Sequence, residues 1–342
     1  MEIQFEGTNR YVPIIDAKLS EFLGAQTLKT GHAISRMTQY HFETGGKRLR
    51  ALIPVYFFEC FGLEATQVLP FSCCVEMIHN ATLVHDDLQD GDEMRRGRET
   101  VWKKFSIPQS INCGDAMFQY PFLILDEMNI SAELKWQLAL DGVKATLKVI
   151  EGQAQEFIMK EEAFPGIDRY LGVVRGKTAD LFNFSVMGAL QIIEEKTKLR
   201  LPMKLIEEHV LSLGTLFQIQ DDVLDVYADK GRDMRATDIA EGKVSILIAY
   251  AYENGSIIQK DFIRKILTKG RVNVTSQDIN AVVEILDGMG AKDYALNHMQ
   301  KIIRGISEDQ FLQQEAPQVY QGLLRLSDVF LKPIANLMAG KA

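Results

Sequence analysis

Cysteine is scarce in this 342-residue chain and never paired in a Cys-x-x-Cys motif: Cys60, Cys73, Cys74 and Cys113 have no histidine spacing around them that would complete a zinc site. That excludes a disulfide framework and fits buried thiols in a reducing compartment. Positive charge is also in deficit. Lys and Arg total 38 against 46 Asp and Glu, a net charge of -8, which is the wrong sign for a nucleic-acid footprint. Met1-Glu2-Ile3-Gln4-Phe5-Glu6 carries acids where a signal peptide needs bases and then an apolar run. No apolar run approaches the ~20 residues that cross a bilayer; Ala116–Leu125 is far shorter. These absences predict a cytoplasmic protein without a transmembrane segment and without a nucleic-acid partner.

Alternating β-rich runs bounded by tight turns are nearly absent as well. What is present is a helical period: in Val68–Leu88, Leu134–Met159, Tyr170–Glu195 and Leu201–Tyr227 apolar residues recur three and four apart. Pro70 and Pro202 fall near the starts of two of these runs, where a helix tolerates proline. The pattern predicts an all-α protein, largely a helical bundle. Breaks are few. Phe105–Asp115 reads as a loop, with Pro108 and Gly114 in it; Pro121 reads as a kink or an early helix position. Phe164-Pro165-Gly166, Glu253–Ser256 and Gly288-Met289-Gly290 read as breaks, and Ala228–Gly242 as a long polar loop. Thr275–Asp278 fits a capping box. No linker or fixed-period repeat appears, so residues 1–342 are expected to form one domain, with the motif-bearing core at about 40–250.

Two constellations carry chemistry. In His85-Asp86-Asp87-Leu88-Gln89-Asp90, Asp86 and Asp90 are four apart and share a helix face after a mostly apolar run. Gln220-Asp221-Asp222-Val223-Leu224-Asp225 repeats the spacing after a second apolar run. One such cluster is compatible with a solvated helix end; two copies point to a shared cation, and hard carboxylate oxygens suit Mg²⁺ bridging to phosphates. Basic runs accompany them: Gly45-Gly46-Lys47-Arg48-Leu49-Arg50, which is not a Walker loop, and Arg95-Arg96-Gly97-Arg98. His79 lies about two turns before Asp86, and Lys177-Thr178 interrupts an apolar run where lysine is rarely buried unpaired.

Together these residues resemble the trans-isoprenyl diphosphate synthases, the polyprenyl synthetase family, and among them the geranylgeranyl and medium-chain members. The motifs occur in family order: Gly45–Arg50, Glu76–Gly97, Gly152-Gln153, Lys177-Thr178-Ala179 and Phe217–Asp225 with the trailing Asp238 and Lys243. The resemblance implies an isoprenoid synthase-type bundle around a central cavity, a homodimer, and a prenyltransferase joining isopentenyl diphosphate head-to-tail to an allylic diphosphate. It implies that Asp86, Asp90, Asp221 and Asp225 hold Mg²⁺, typically three ions, with Mn²⁺ as a substitute. The catalytic set it implies is Asp86, Asp87, Asp90, Lys177, Asp221, Asp222 and Asp225. Arg95, Lys177, Thr178, Gln218 and Lys243 match contacts to the allylic diphosphate; Lys47, Arg50, His79 and Arg96 match the isopentenyl diphosphate pocket. Three positions depart from the family: Glu99 stands where Pro is common, Trp102 where His is, and Met234 where a loop Lys is, with Arg235 or Lys230 as its replacement.

Product length in the family depends on the depth of the tail cavity. Ala81 and Thr82, five and four residues before Asp86, are small, which opens the cavity beyond fifteen carbons; Phe118 is a candidate floor. The expected product is geranylgeranyl diphosphate (C20), with C25 or longer, or farnesyl diphosphate, as alternatives. A terpene cyclase would carry a second metal motif of Asn/Ser/Glu type and has no use for Gly45–Arg50 and His79. A non-catalytic subunit of a heteromeric synthase would have lost an acidic motif.

Overall fold

The computed structural model describes residues 7–30, 32–227 and 236–338. The expectations placed on Lys230, Met234 and Arg235 lie outside these residues. Almost everything described is helical. In chain order the elements are α1 (Val12–Thr30), α2 (His32–Phe42), α3 (Leu49–Cys60), α4 (Leu69–Gln89), a minimal antiparallel hairpin of β1 (Met94–Arg95) and β2 (Arg98–Glu99), α5 (Val101–Phe105), α6 (Ile107–Asp126), α7 (Ala132–Glu161) and α8 (Ile167–Val174). A π-helical turn, Arg175–Ala179, leads into α9 (Asp180–Thr197) and then α10 (Met203–Tyr227). After these come α11 (Thr237–Ala240), α12 (Ile246–Asn254), α13 (Ile257–Leu267), α14 (Ser276–Gly288), α15 (Ala291–Ser307), α16 (Gln310–Glu315) and α17 (Pro317–Leu331).

The chain forms two compact units. Among the described residues, one comprises 7–147 together with Leu181–Met203; the other comprises Lys148–Asp180 and 204–338. In the first, α4 is buried on nearly every side: Phe71, Cys74, Val75, Met77, Ile78, Ala81 and Val84 are all enclosed, and the helix packs on α3 and α6. A helix apolar all round belongs at the centre of its unit. In the second, α10 buries Ile206, Val210, Leu213, Leu216, Ile219 and Val223. Each aspartate-rich motif therefore sits at the C-terminal end of a buried helix, where its height is set by packing.

The punctuation reads partly as expected. Pro70 is in the first turn of α4, Pro165 and Gly166 separate α7 from α8, and Ser256 and Thr275 each close a capping box. Two expectations are corrected. Phe105–Asp115 is not a loop: only Ser106, at φ 139°, breaks the chain, Pro108 sits in the first turn of α6, and Pro121 lies in its interior. Gly114 lies within α6, and a Cβ there would stand 2.1 Å from the His85 imidazole, so the position has no room for a side chain. Tyr170–Glu195 is not one uniform helix, because the π turn divides it. No helix among the described residues is long and apolar enough to cross a membrane.

Candidate active site

Asp86 and Asp90 close α4 one turn apart and half-buried, while Asp87 between them is buried. Asp87 was expected among the catalytic carboxylates; here it serves the chain that follows. Its carboxylate accepts Arg95 Nε at 2.7 Å to Oδ1 and 3.0 Å to Oδ2, and Arg95 Nη2 lies 2.5 Å from Oδ1. Burial pushes the Asp87 carboxyl up and Arg95 opposes it. The Trp102 indole donates to the backbone oxygens of Asp87 at 3.0 Å and Asp92 at 2.9 Å, which also accept from Asp92 N and Thr100 Oγ1. Trp102 thus staples the turn after the motif. Beside this end, the His85 ring meets Phe118 edge-on at 5.6 Å and Asp115 at 3.5 Å. Phe118 is half-buried; Ala81 is fully buried, and the Thr82 hydroxyl is turned to its own helix, donating to His79 O at 2.7 Å.

The basic residues of the same unit lie at the loop before α3 and at the hairpin. Lys47 is exposed. Arg50 Nη1 is 3.2 Å from His79 Nε2, and Ser185 donates to Arg50 O at 2.8 Å. Burial, with Arg50 beside it, holds His79 far below the usual imidazole range, so it is neutral and accepts from Arg50. Arg96 donates to Gly45 O, bringing the hairpin onto the loop.

In the second unit the π turn carries Lys177 and Thr178. It is seated on α7, where a Cβ at Gly152 would fall 2.3 Å from Lys177 N. One turn beyond Gly152 on α7, Glu156 pairs with Lys177. Burial pushes the Glu156 carboxyl up, but Lys177 outweighs it and leaves Glu156 below the ordinary carboxylate range. Thr178 donates to Gln218 Oε1 at 2.9 Å, and Gln218 donates to Asp222 Oδ1 at 2.9 Å. Asp222 also accepts Tyr170 OH at 2.6 Å and Ile246 N at 2.9 Å, all on Oδ2. Asp222, like Asp87, is therefore engaged inside the protein rather than presented outward. Burial, reinforced by Asp238, pushes its carboxyl up to about 7.

Asp221 is exposed, whereas Asp225 is buried and accepts Thr237 Oγ1 at 2.8 Å and Asp238 N at 3.0 Å. Lys243 is held by Glu241 at 2.7 Å and Asp238 at 3.6 Å.

Both motifs place carboxylates at the negative end of a helix dipole, where a cation is favoured. Among the described residues no three His, Cys, Asp or Glu side chains converge into a metal cage. Mg²⁺ takes one or two carboxylates and draws its other ligands from water and phosphate oxygens. Asp86 with Asp90 in one unit, and Asp221 with Asp225 in the other, each offer hard carboxylate oxygens of the kind such an ion takes.

Trp102's staple, Tyr170 and Glu156 were not found from sequence. Glu156 had a signal, lying four residues after Gly152 on the same helix face. Tyr170 had none, being one more aromatic in an apolar run.

The family description "Polyprenyl synthetase" matches residues 32–286. A geranylgeranyl pyrophosphate synthase of Geoglobus acetivorans is 27% identical over 321 residues, 93% of this chain and 96% of that one. An octaprenyl diphosphate synthase of Haemophilus influenzae is 29% identical over 287 residues, 83% of this chain and 84% of that one. Among solved structures, a geranylgeranyl pyrophosphate synthetase from Pyrococcus horikoshii Ot3 matches with a TM-score of 0.81 at 26% identity, over 95% of this chain and 97% of that one.

Proposed function

The chain belongs to the polyprenyl synthetase family and is a trans-prenyltransferase, and from that premise we propose which reaction it runs and which residues run it. The enzyme joins isopentenyl diphosphate head-to-tail to an allylic diphosphate, extending it by five carbons. The observation that carries this reading is the repeated Asp-Asp-x-x-Asp at the ends of two buried helices, each with its own basic companions.

Asp86, Asp90, Asp221 and Asp225 would hold Mg²⁺, which would supply charge neutralisation for the allylic diphosphate. Lys177, Arg95 and Lys243 orient that diphosphate, Lys177 exchanging Glu156 for a phosphate oxygen. Thr178 and Gln218 supply neutral hydrogen bonds to it. Lys47, Arg50, His79 and Arg96 hold isopentenyl diphosphate; His79, being neutral, leaves the cationic work to its neighbours. The allylic C–O bond breaks with its electron pair leaving on the diphosphate. The double bond of isopentenyl diphosphate attacks the allylic cation, a C–C bond forms, and the proton lost from the adduct goes to the departed diphosphate. Asp87 and Asp222 do not touch the reacting atoms; they hold Arg95 and Gln218 in place.

The product is geranylgeranyl diphosphate, with Phe118 as the floor of the tail cavity. The small Ala81 and Thr82 favour a second reading, a product of C25 or longer. Exposed apolar side chains on α6 and α7 of one unit, Ile107, Ile111, Leu123, Trp136 and Leu147, support a homodimer. The test is a product assay: purified protein with Mg²⁺, isopentenyl diphosphate and each of dimethylallyl, geranyl and farnesyl diphosphate, read by product mass. A single C20 product supports the reading, a ladder past C25 moves the floor deeper, and no elongation from folded protein overturns it.

A further inference from the structure

Between Lys47 and Arg50 stands Arg48, and its side chain goes the other way. Its backbone takes φ 50°, ψ 30°, the left-handed region, at the N-cap of α3. A branched-out residue with a Cβ is held there only when its surroundings compensate for the strain. The compensation is visible. The guanidinium is 2% exposed, Nε donates to Asp16 Oδ1 at 2.7 Å, Nη1 to Glu76 Oε1 at 3.2 Å and Nη2 to Phe42 O at 3.2 Å. The network continues inward. Asn80 Nδ2 donates to Glu76 Oε1 at 2.8 Å, and Asn80 Oδ1 lies 3.1 Å from His41 Nε2. Glu76 Oε2 makes no hydrogen bond, so this buried carboxylate depends on Arg48 and Asn80 through one oxygen. A Cβ at Gly46 would stand 2.5 Å from Arg96 Nη1 and 3.2 Å from Arg48 Nη1, so Gly46 leaves room for both guanidinium groups.

We infer that Arg48 is a positioning residue: anchored to Asp16 and Glu76, it fixes the turn that leaves Lys47 exposed and sets Arg50 against His79. It does not itself contact a diphosphate. The inference rests on the assignment of Lys47, Arg50 and His79 to the isopentenyl diphosphate pocket. It adds a specific consequence, that loosening Arg48 weakens one substrate and not the other.

The experiment measures KM for each substrate, kcat and thermal midpoint for Arg48→Met, Arg48→Lys and Asp16→Asn, with calorimetric binding of isopentenyl diphosphate in parallel. The expected result for Arg48→Met is a rise of about tenfold in KM and Kd for isopentenyl diphosphate, the loss of one charged anchor. The allylic KM stays within about twofold. Arg48→Lys recovers part of the affinity, and Asp16→Asn, altered on a half-exposed carboxylate, moves it the same way by less. Should Arg48→Met not fold, the other two variants carry the test. Equal rises in both KM values, or a lowered midpoint with unchanged KM, overturns the inference. A wild-type protein that binds isopentenyl diphosphate but elongates nothing overturns the proposed reaction instead, and the binding series still reads Arg48.

Discussion

Tyr170 donates its phenol to Asp222 across 2.6 Å, and the partner oxygen of that carboxylate takes Gln218. The middle aspartate of the second motif is thereby the joint between α8 and α10. Burial, with Asp222 next to it, holds the phenol well above its usual range, so it stays a donor throughout the neutral region. Tyr170→Phe removes one hydrogen bond to a buried acid and is expected to cost about 2 kcal/mol of unfolding free energy by denaturant titration. Turnover should fall far less than for a change at Asp221. A variant as stable as the parent would show that the bond contributes nothing.

The outer and middle aspartates should separate cleanly in mutants. Asp86→Ala and Asp221→Ala are expected to lower turnover about a thousandfold or more, with little change in thermal midpoint. Asp87→Ala strands a largely buried Arg95 and is expected to lower stability by about 3 kcal/mol. Circular dichroism melts beside single-turnover assays read both quantities. Near-parental turnover in Asp86→Ala or Asp221→Ala would remove the metal-holding role.

Phe118 packs edge-on against His85, with ring centroids 5.6 Å apart. Phe118→Ala is expected to shift product mass upward by one or more five-carbon additions, read by mass spectrometry after farnesyl diphosphate priming. An unchanged distribution would place the floor elsewhere.

His41 supplies a pH dependence. Burial first, and Arg95 second, hold its imidazole down to about 3 from an ordinary 6.5. The folded state keeps it neutral while the unfolded chain takes up the proton below pH 6.5. Stability from this group is therefore complete above that value and is lost as pH falls toward 3. At pH 5.5 the loss is about 1 kcal/mol. Midpoints measured from pH 7.5 to 5 should fall less steeply in His41→Gln than in the parent; identical slopes would exclude His41 as the source.

The all-α fold and the long runs of α4, α7 and α10 were legible because burial on a helix writes a period into the chain. The two aspartate motifs were legible because like charges stacked four apart need an external reason. What escaped was shape. Phe105–Asp115 contains Pro108 and Gly114, and both are usual loop residues; only the His85 ring against Gly114 explains why a helix keeps a glycine there. The inward turn of Asp87 and Asp222 escaped for a different reason. Adjacent residues on a helix point about 100° apart, so spacing says they diverge but not which one meets solvent. Arg95 and Tyr170 decide that, and they are distant along the chain.

The π turn at Arg175–Ala179 has a consequence for how the helix tolerates length changes. A wide turn holds one more residue than an α turn, so it absorbs an extra residue between the apolar stripes of α8 and α9 without throwing them out of phase. Deleting a single residue there lets the turn close to regular α geometry with the stripes still nearly aligned. The same deletion elsewhere in α9 rotates everything beyond it by about 100°. Gly152 faces this wide turn, where a Cβ would stand 2.3 Å from Lys177 N, so α7 lies against the turn only because that position carries no side chain.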